Sequence, residues 1–296
     1  MSLKSAWYRG KAPRRSYNAG QADARYKFTG KEKDTETGLD YFGARYYDSR
    51  IGRWGSVDPL AEKFPGVSPY NYCLNDPVKL FDPTGKSGEA VIKGKTITVT
   101  SRMIFYGPKA SSSLASSVTN EIRSLWNNAA GKVTIGGREY SVKFNITSEI
   151  VSDKKAASMA ASNTDIKDNF IKLGETNSVG RSYMDLGGNS GNFVTTDALG
   201  TSTTAAHEYG HGVGLGHSSP DQLGNGQPDI MSARGTLVDP QFQYDPSARP
   251  GGPGGTINPA LRVVTPTNVQ SVFHRITFDK NGKANIGTIT NRIYQP

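Results

Sequence analysis

The chain of 296 residues carries a net charge of +9, and its 34 glycines and 16 prolines predict many turns. Cys73 is the single cysteine, which excludes a disulfide framework within the chain and favours a small buried apolar residue. The basic excess is spread along the chain without a dense Lys/Arg block, so nucleic acid is not an expected partner. No apolar stretch approaches the length of a membrane span and no signal peptide is visible, so we expect no span.

The N-terminal part of the chain differs in character from the rest. Residues 1–25 are polar and basic, without periodicity, and are expected to form a disordered lead. Residues 26–86 place aromatic residues between glycine turns, which favours short twisted strands and hairpins. The most specific runs are residues 37–48 (TGLDYFGARYYD), 51–60 (IGRWGSVDPL) and 68–77 (SPYNYCLNDP).

These runs resemble the rearrangement-hotspot (RHS) repeat-associated core of bacterial polymorphic toxins. In that family a variable effector follows the core, so the resemblance implies an effector that is exported to a target cell and neutralised in the producer by a cognate immunity protein. Some members cut their own chain at the end of the core with two aspartates, which by position would be Asp58 and Asp82. Those members carry the aspartates in the motifs D-P-x-G and D-P-x-G-L, whereas here Ala61 replaces the first glycine and Lys86 replaces the leucine. Asp-Pro pairs also start ordinary turns, so self-cleavage stays open.

Composition changes at residues 86–88, and we predict a second domain over residues 87–296. Its predicted elements are a strand over 91–100, a helix over 114–125 with capping serines before it, a hairpin over 133–146, and strands at 170–173, 181–185 and 192–196. A last helix is predicted to begin after Thr265 and to carry Val269, Val272, Phe273 and Ile276 on one face.

The motif with the most chemistry is residues 207–217 (HEYGHGVGLGH). His207 and His211 are four apart, so on a helix their imidazoles project from one face and can hold a zinc ion. Glu208 can reach a water on that ion as general base without being a ligand. Gly214 suits the end of the helix, because glycine adopts the left-handed conformation at little cost, and His217 can then turn back to the same metal. Three neutral imidazoles leave a fourth position open to water, as in catalytic zinc sites.

This H-E-x-x-H-x-x-G-x-x-H motif resembles the signature of the metzincin clan of zinc metallopeptidases, and Ser218 after the third histidine is most similar to the matrixin branch. The clan has a Met-turn beneath the metal, for which Met231 is the candidate; an ordinary core methionine is the alternative. The resemblance implies an α+β fold. Its α/β-type upper subdomain (87–217) would hold a mixed twisted sheet and the active-site helix, and its lower subdomain (218–296) the Met-turn and a C-terminal helix.

The resemblance also implies that a strand beside the cleft could bind an extended substrate peptide as an extra strand. Matrixins hold structural calcium, but no acidic loop in this sequence is dense enough to support such a site.

The leading hypothesis is therefore a zinc-dependent endopeptidase with one catalytic Zn²⁺, acting on a protein or peptide substrate as the C-terminal effector of an RHS-type toxin. A non-catalytic delivery or binding module is one alternative. Another is a peptidase that mainly processes its own parent chain. A nuclease is disfavoured, because the sequence holds no second His/Asp/Glu cluster to serve one.

Overall fold

The computed structural model divides the chain into two compact units, Met1–Asp82 and Pro83–Pro296. The structure describes residues 32–33, 40–41, 46–48 and 53–54 of the first unit, and residues 86–274, 276–287 and 289–294 of the second. Four described strands of the first unit form an antiparallel meander in chain order: β1 (Glu32–Lys33), β2 (Asp40–Tyr41), β3 (Tyr46–Asp48) and β4 (Arg53–Trp54). The expected lead over 1–25, Cys73 and the candidate aspartates Asp58 and Asp82 lie outside the described residues.

The second unit is built on a mixed sheet. Its strands are β5 (Lys86–Lys93), β6 (Thr96–Tyr106), β7 (Lys132–Ile135), β8 (Arg138–Ile150), β9 (Asp168–Gly174), β10 (Tyr183–Met184), β11 (Ser190–Val194) and β12 (Lys283–Gly287). The long strand β6 pairs in parallel with β8 and β9, and β9 pairs in parallel with β11. The β5–β6, β5–β12, β7–β8 and β10–β11 pairs are antiparallel, and β10 lies at the edge. This curled mixed sheet with helices is compatible with the predicted α+β class.

Among the described residues of this unit, four α-helices accompany the sheet: α1 (Ser112–Asn128), α2 (Asp153–Ser162), α3 (Thr204–Gly212) and α4 (Pro266–Val272). Helix α1 confirms the helix predicted over 114–125, and Ser111 caps it by accepting a hydrogen bond from the Leu114 N–H at 3.3 Å. Its buried Trp126 ring lies 5.0 Å from Phe144 of β8 and 5.5 Å from Tyr209 of α3. Helix α1 therefore joins the sheet to α3 through one aromatic cluster.

The prediction of one strand over residues 91–100 was wrong. The structure has two antiparallel strands, β5 and β6, joined by a tight turn at Gly94 and Lys95. Gly94 has a φ of +60°, which glycine adopts without steric cost, and apolar alternation continues on both sides of it. The alternation alone therefore hid the turn.

The helical predictions also needed two corrections. Helix α2 was not predicted, because it buries only Ala156 and Ala160 and so has no stripe of large apolar residues. Helix α4 begins as predicted, with a capping box between Thr265 and Asn268, but it ends at Val272, before Ile276. The hairpin predicted over 133–146 is confirmed as β7 and β8.

The two faces of the sheet carry unequal cores. One face, under α1, α3 and α4, holds the larger cluster, which includes Phe105, Trp126 and Met231. The other face holds a small cluster in which Ile104, Tyr106 and Phe170 pack against α2. Among the described residues, no helix has the length and apolar character that crossing a membrane would require. The larger core positions α3, which carries the candidate site.

Candidate metal centre

The structure brings His207, His211 and His217 together at one end of α3. One side-chain nitrogen from each lies within 4.8 Å of those of the other two, and the Nε2 atoms of His211 and His217 are 3.0 Å apart. Within the ranges that the structure describes, no other group of three His, Cys, Asp or Glu side chains is arranged to hold a metal ion. The role of the three as ligands remains a prediction.

Backbone carbonyls orient two of the three rings. The Nδ1–H of His207 donates to the carbonyl oxygen of Ile230 at 2.6 Å, and the Nδ1–H of His211 donates to that of Leu215 at 2.7 Å. A proton fixed on Nδ1 leaves the lone pair of Nε2 free for a metal.

Burial of the site keeps the three imidazole rings neutral. Burial, with smaller contributions from nearby cationic groups, lowers the pKa of His207 to about 2. Burial also lowers the pKa of His211 to about 4, and the pKa of the more exposed His217 falls for the same reason. Neutral imidazole is the form that binds a metal, so all three rings are in their ligand form at neutral pH.

The end of α3 supplies the reversal that brings His217 back. The N–H of Leu215 donates to the carbonyl of Gly210 and the N–H of Gly214 to that of His211, both at 2.9 Å. Gly214 has a φ of +94°, so these two bonds form a Schellman motif. The motif places the carbonyl of Leu215 against the ring of His211.

The turn that contains Met231 lies directly against α3. The carboxylate of Asp229 accepts the Met231 N–H at 2.7 Å and so closes the turn. Its Ile230 carbonyl is the acceptor for His207, and the Met231 sulfur lies so close to α3 that a Cβ on Gly210 would be 2.4 Å from Sδ. The turn therefore positions His207, and its methionine side chain fills the space that a Cβ at position 210 would need.

Glu208 lies beside the three histidines and is 7% exposed. Its Oε2 accepts the backbone N–H of Met184 on the edge strand β10 at 3.1 Å, while Oε1 has no hydrogen-bond partner among the described residues. Burial raises the pKa of Glu208 to about 8, against the opposing influence of Arg262. The carboxyl group is thus held at one oxygen and can take up or release a proton near neutral pH.

Two residues that sequence analysis missed fix α3 in place. The side chain of Thr203 does not cap α3; instead Glu121, on α1, accepts the Ala206 N–H at 3.0 Å. Arg262 donates from Nε to Thr203 Oγ1 at 3.0 Å and from Nη1 to the Ser232 carbonyl at 3.1 Å, and so joins the start of α3 to the turn around Met231. Glu121 directly precedes Ile122, an apolar position of the predicted helix, and this neighbour indicated that Glu121 could be buried. No feature of the sequence indicated a role for Arg262.

A cavity of about 340 Å³ lies beside the three histidines and Glu208. Its walls are the three histidines, Glu208, the β10 segment and three arginines: Arg181, Ser182, Tyr183, Met184, Leu186, Thr204, His207, Glu208, His211, Gly216, His217, Ala233, Arg234 and Arg262. Three neutral imidazoles around an open cavity form a donor set that suits zinc, and the side chains present fit that ion.

Comparison with known proteins finds likeness mainly in the N-terminal fifth of the chain. The chain is 42% identical over 66 residues to salivary gland surface protein 1 of Aedes aegypti and 44% identical over 64 residues to toxin subunit YenC1 of Yersinia entomophaga. It is 46% identical over 59 residues to toxin protein Tse5 of Pseudomonas aeruginosa. The matched residues are 20–22% of this chain but only 2–6% of those relatives. No protein-family profile matches the chain.

Further relatives carry other activities in their names, among them a double-stranded DNA deaminase toxin of Burkholderia cenocepacia and a tRNA nuclease of Bacillus subtilis. Among solved structures, archaemetzincin from Methanopyrus kandleri matches with a TM-score of 0.29 and 12% identity, over 45% of this chain and 81% of that one. At this TM-score the likeness does not establish a common fold. The N-terminal part of the chain is thus similar to toxin proteins, and their activities differ.

Proposed function

We propose that the second unit is a zinc-dependent endopeptidase that acts as the effector of an RHS-type toxin. The observation that carries the proposal is the convergence of three neutral imidazoles with a buried glutamate at one open cavity. The residue types, their spacing and the backbone hydrogen bonds that orient them all suit one catalytic zinc ion.

Each protein group has a role that its contacts suggest. His207, His211 and His217 would hold zinc, which when bound polarises a peptide carbonyl and activates water for attack. Glu208 is the general base: its Oε1 takes the proton of the attacking water and passes it to the leaving amine. The Met184 N–H keeps the other oxygen in place, so the carboxyl group cannot turn away between the two transfers.

The substrate would bind along β10. This strand lies at the edge of the sheet and lines the cavity through Tyr183 and Met184. Because the Met184 N–H is already bound to Glu208, an extended peptide at that edge would mainly donate its own N–H groups to carbonyls of the edge, and it would lie across the three histidines. Such binding fits a protein or peptide substrate of extended conformation.

The effector role is supported by the toxin relatives of the N-terminal part. Delivery to a target cell and neutralisation by an immunity protein follow from the RHS resemblance and are part of the proposal. The deaminase and nuclease relatives do not argue against a peptidase here, because the likeness is concentrated in the N-terminal fifth, while the histidines lie in the second unit.

Glu208→Gln tests the proposal. The amide keeps an acceptor for the Met184 N–H but cannot take a proton, so we expect unchanged zinc content and a loss of proteolysis of about 10²–10⁴-fold. Zinc content and cleavage of a mixed bacterial lysate are measured on both proteins, with Glu175→Gln, on a side chain that is 70% exposed, as the matched control.

The outcomes separate the alternatives. Undiminished cleavage by Glu208→Gln would contradict its role as base, and a folded protein without zinc would contradict the metal site. Stoichiometric zinc without cleavage of any protein would favour the binding module. A cut near residue 86 that survives Glu208→Gln but not Asp82→Asn would assign chain release to the aspartates of the first unit.

A further inference from the structure

The cavity beside the histidines is lined by more positive charge than the zinc chemistry needs. Arg181, Arg234 and Arg262 all lie in its wall, and Glu208 is the one acidic residue among the side chains that line it. Three guanidinium groups in the wall of a peptidase cavity call for a reason in the substrate.

Arg262 is a buried cation whose hydrogen bonds all go to neutral groups. Its side chain belongs to a residue that is 4% exposed, and its acceptors are Thr203 Oγ1, the Pro259 carbonyl and the Ser232 carbonyl. No carboxylate of the described residues lies within ion-pair distance of it, and Nη2 has no hydrogen-bond partner among them. A buried charge without a directly paired counter-ion is unfavourable, so a carboxylate brought by a ligand would gain a strong partner there.

The other two arginines differ from each other. Arg234 donates to Asp197 at 2.5 Å, and this ion pair neutralises it. Arg181 is exposed, directly precedes the β10 segment, and its guanidinium forms no hydrogen bond or ion pair with any described side chain. Arg181 and Arg262 are therefore the two cations of the cavity without an ion pair to a described carboxylate; Glu208 and Glu121 interact with Arg262 only at longer range.

We propose that this cavity binds a carboxylate of the substrate peptide, held by Arg181 and Arg262 next to the scissile bond. Guanidinium groups bind carboxylates through paired N–H donors, which fixes orientation as well as charge. An acidic side chain and the C-terminal carboxylate of a short peptide offer the same chemistry. The inference rests on the proposed function, because the scissile bond is placed by the three histidines.

Three peptide hydroxamates test the inference on the zinc-loaded full chain by calorimetry, since a hydroxamate binds zinc whatever side chain it carries. The first has a glutamate side chain and an amidated C-terminus, the second a glutamine side chain and an amidated C-terminus, and the third a glutamine side chain and a free C-terminus. We expect the first or the third to bind at least tenfold more tightly than the second. The tighter of the two identifies the source of the carboxylate.

Substitutions of Arg181 and Arg262 test whether these two residues cause the preference for a carboxylate. Arg181→Gln, on an exposed side chain, should reduce the preference for the carboxylate at least threefold, measured as the ratio of the affinities for the charged and the neutral hydroxamate. Arg262→Lys keeps the charge but loses the paired donors, and it should reduce the preference further in protein that still unfolds cooperatively. Arg138→Gln, on an exposed residue of β8 outside the cavity, is the matched control and should leave the preference unchanged.

Equal affinity for all three hydroxamates would overturn the inference and leave the metal site intact. The same preference in wild type and in both arginine variants would also overturn it. Absence of zinc together with absence of binding by any hydroxamate would overturn the proposed function, and this inference with it.

Discussion

The carboxyl group of Glu121, on α1, caps the N-terminus of α3. It lies on α1, is 9% exposed, and accepts the Ala206 N–H in the first turn of α3. A carboxylate suits the positive end of a helix dipole, but burial opposes its charge, and the balance raises the pKa of Glu121. The residue that anchors the helix of the candidate site is therefore also sensitive to pH.

The pH dependence follows from the direction of that shift. A carboxyl group whose pKa is raised in the folded state favours folding while it is protonated, below its ordinary pKa of 4.5, and this contribution is lost as pH rises through the raised pKa. Glu121→Gln keeps an oxygen for the Ala206 N–H but cannot ionise. We expect the free energy of unfolding of Glu121→Gln, relative to wild type, to increase between about pH 4 and about pH 8.

Urea denaturation of the zinc-free proteins at both pH values measures this difference, since zinc would add its own pH dependence. Glu175→Gln, at an exposed position, serves as the control for loss of a surface carboxylate. Parallel stability profiles for Glu121→Gln and wild type would contradict the prediction.

At the level of helices and strands, the sequence predicted the features that depend on neighbouring residues in the chain. The caps of α1 and α4 and the histidine spacing of α3 depend on residues within one or two turns, and they were visible in the sequence. The insertion of β9 between β6 and β11 depends on pairing with distant residues, and no local pattern encodes it. The bonds of Glu121 to α3 and of Arg262 to Thr203 span 85 and 59 residues, so they too were beyond sequence analysis.

The contact between α3 and the Met231 turn gives a prediction about packing. Alanine is the better helix former by about 1 kcal/mol, yet its Cβ at position 210 would lie 2.4 Å from Met231 Sδ. We expect Gly210→Ala to destabilise the protein by about 1–3 kcal/mol because the buried Met231 side chain must leave its place against the helix.

A double-mutant cycle with Met231→Ala provides the control. Removing the methionine side chain makes room, so Gly210→Ala should then be neutral or stabilising, with a coupling energy of about 1–3 kcal/mol. Urea denaturation of the four proteins measures it. Additive effects of the two substitutions would show that the close approach does not constrain the helix.

Across the whole chain, the similarity to toxin proteins and the candidate metal site lie in different units. The toxin relatives match the N-terminal fifth, whereas the histidines, Glu208 and the cavity all lie in Pro83–Pro296. The proposed activity of the second unit therefore rests on its own geometry, and it requires that this unit build the metal site without the first.

A fragment of residues 83–296 tests that requirement. Its first strand, β5, pairs with β6 and, from Lys86 to Val91, with β12, where the buried Ala90 lies opposite the buried Ala284. We expect this fragment to unfold cooperatively and to bind one zinc ion as the full chain does. A fragment of residues 91–296 removes most of the partners of β12, so its Tm should be clearly lower. If the longer fragment were unfolded, or bound no zinc while the full chain did, the second unit would depend on the first.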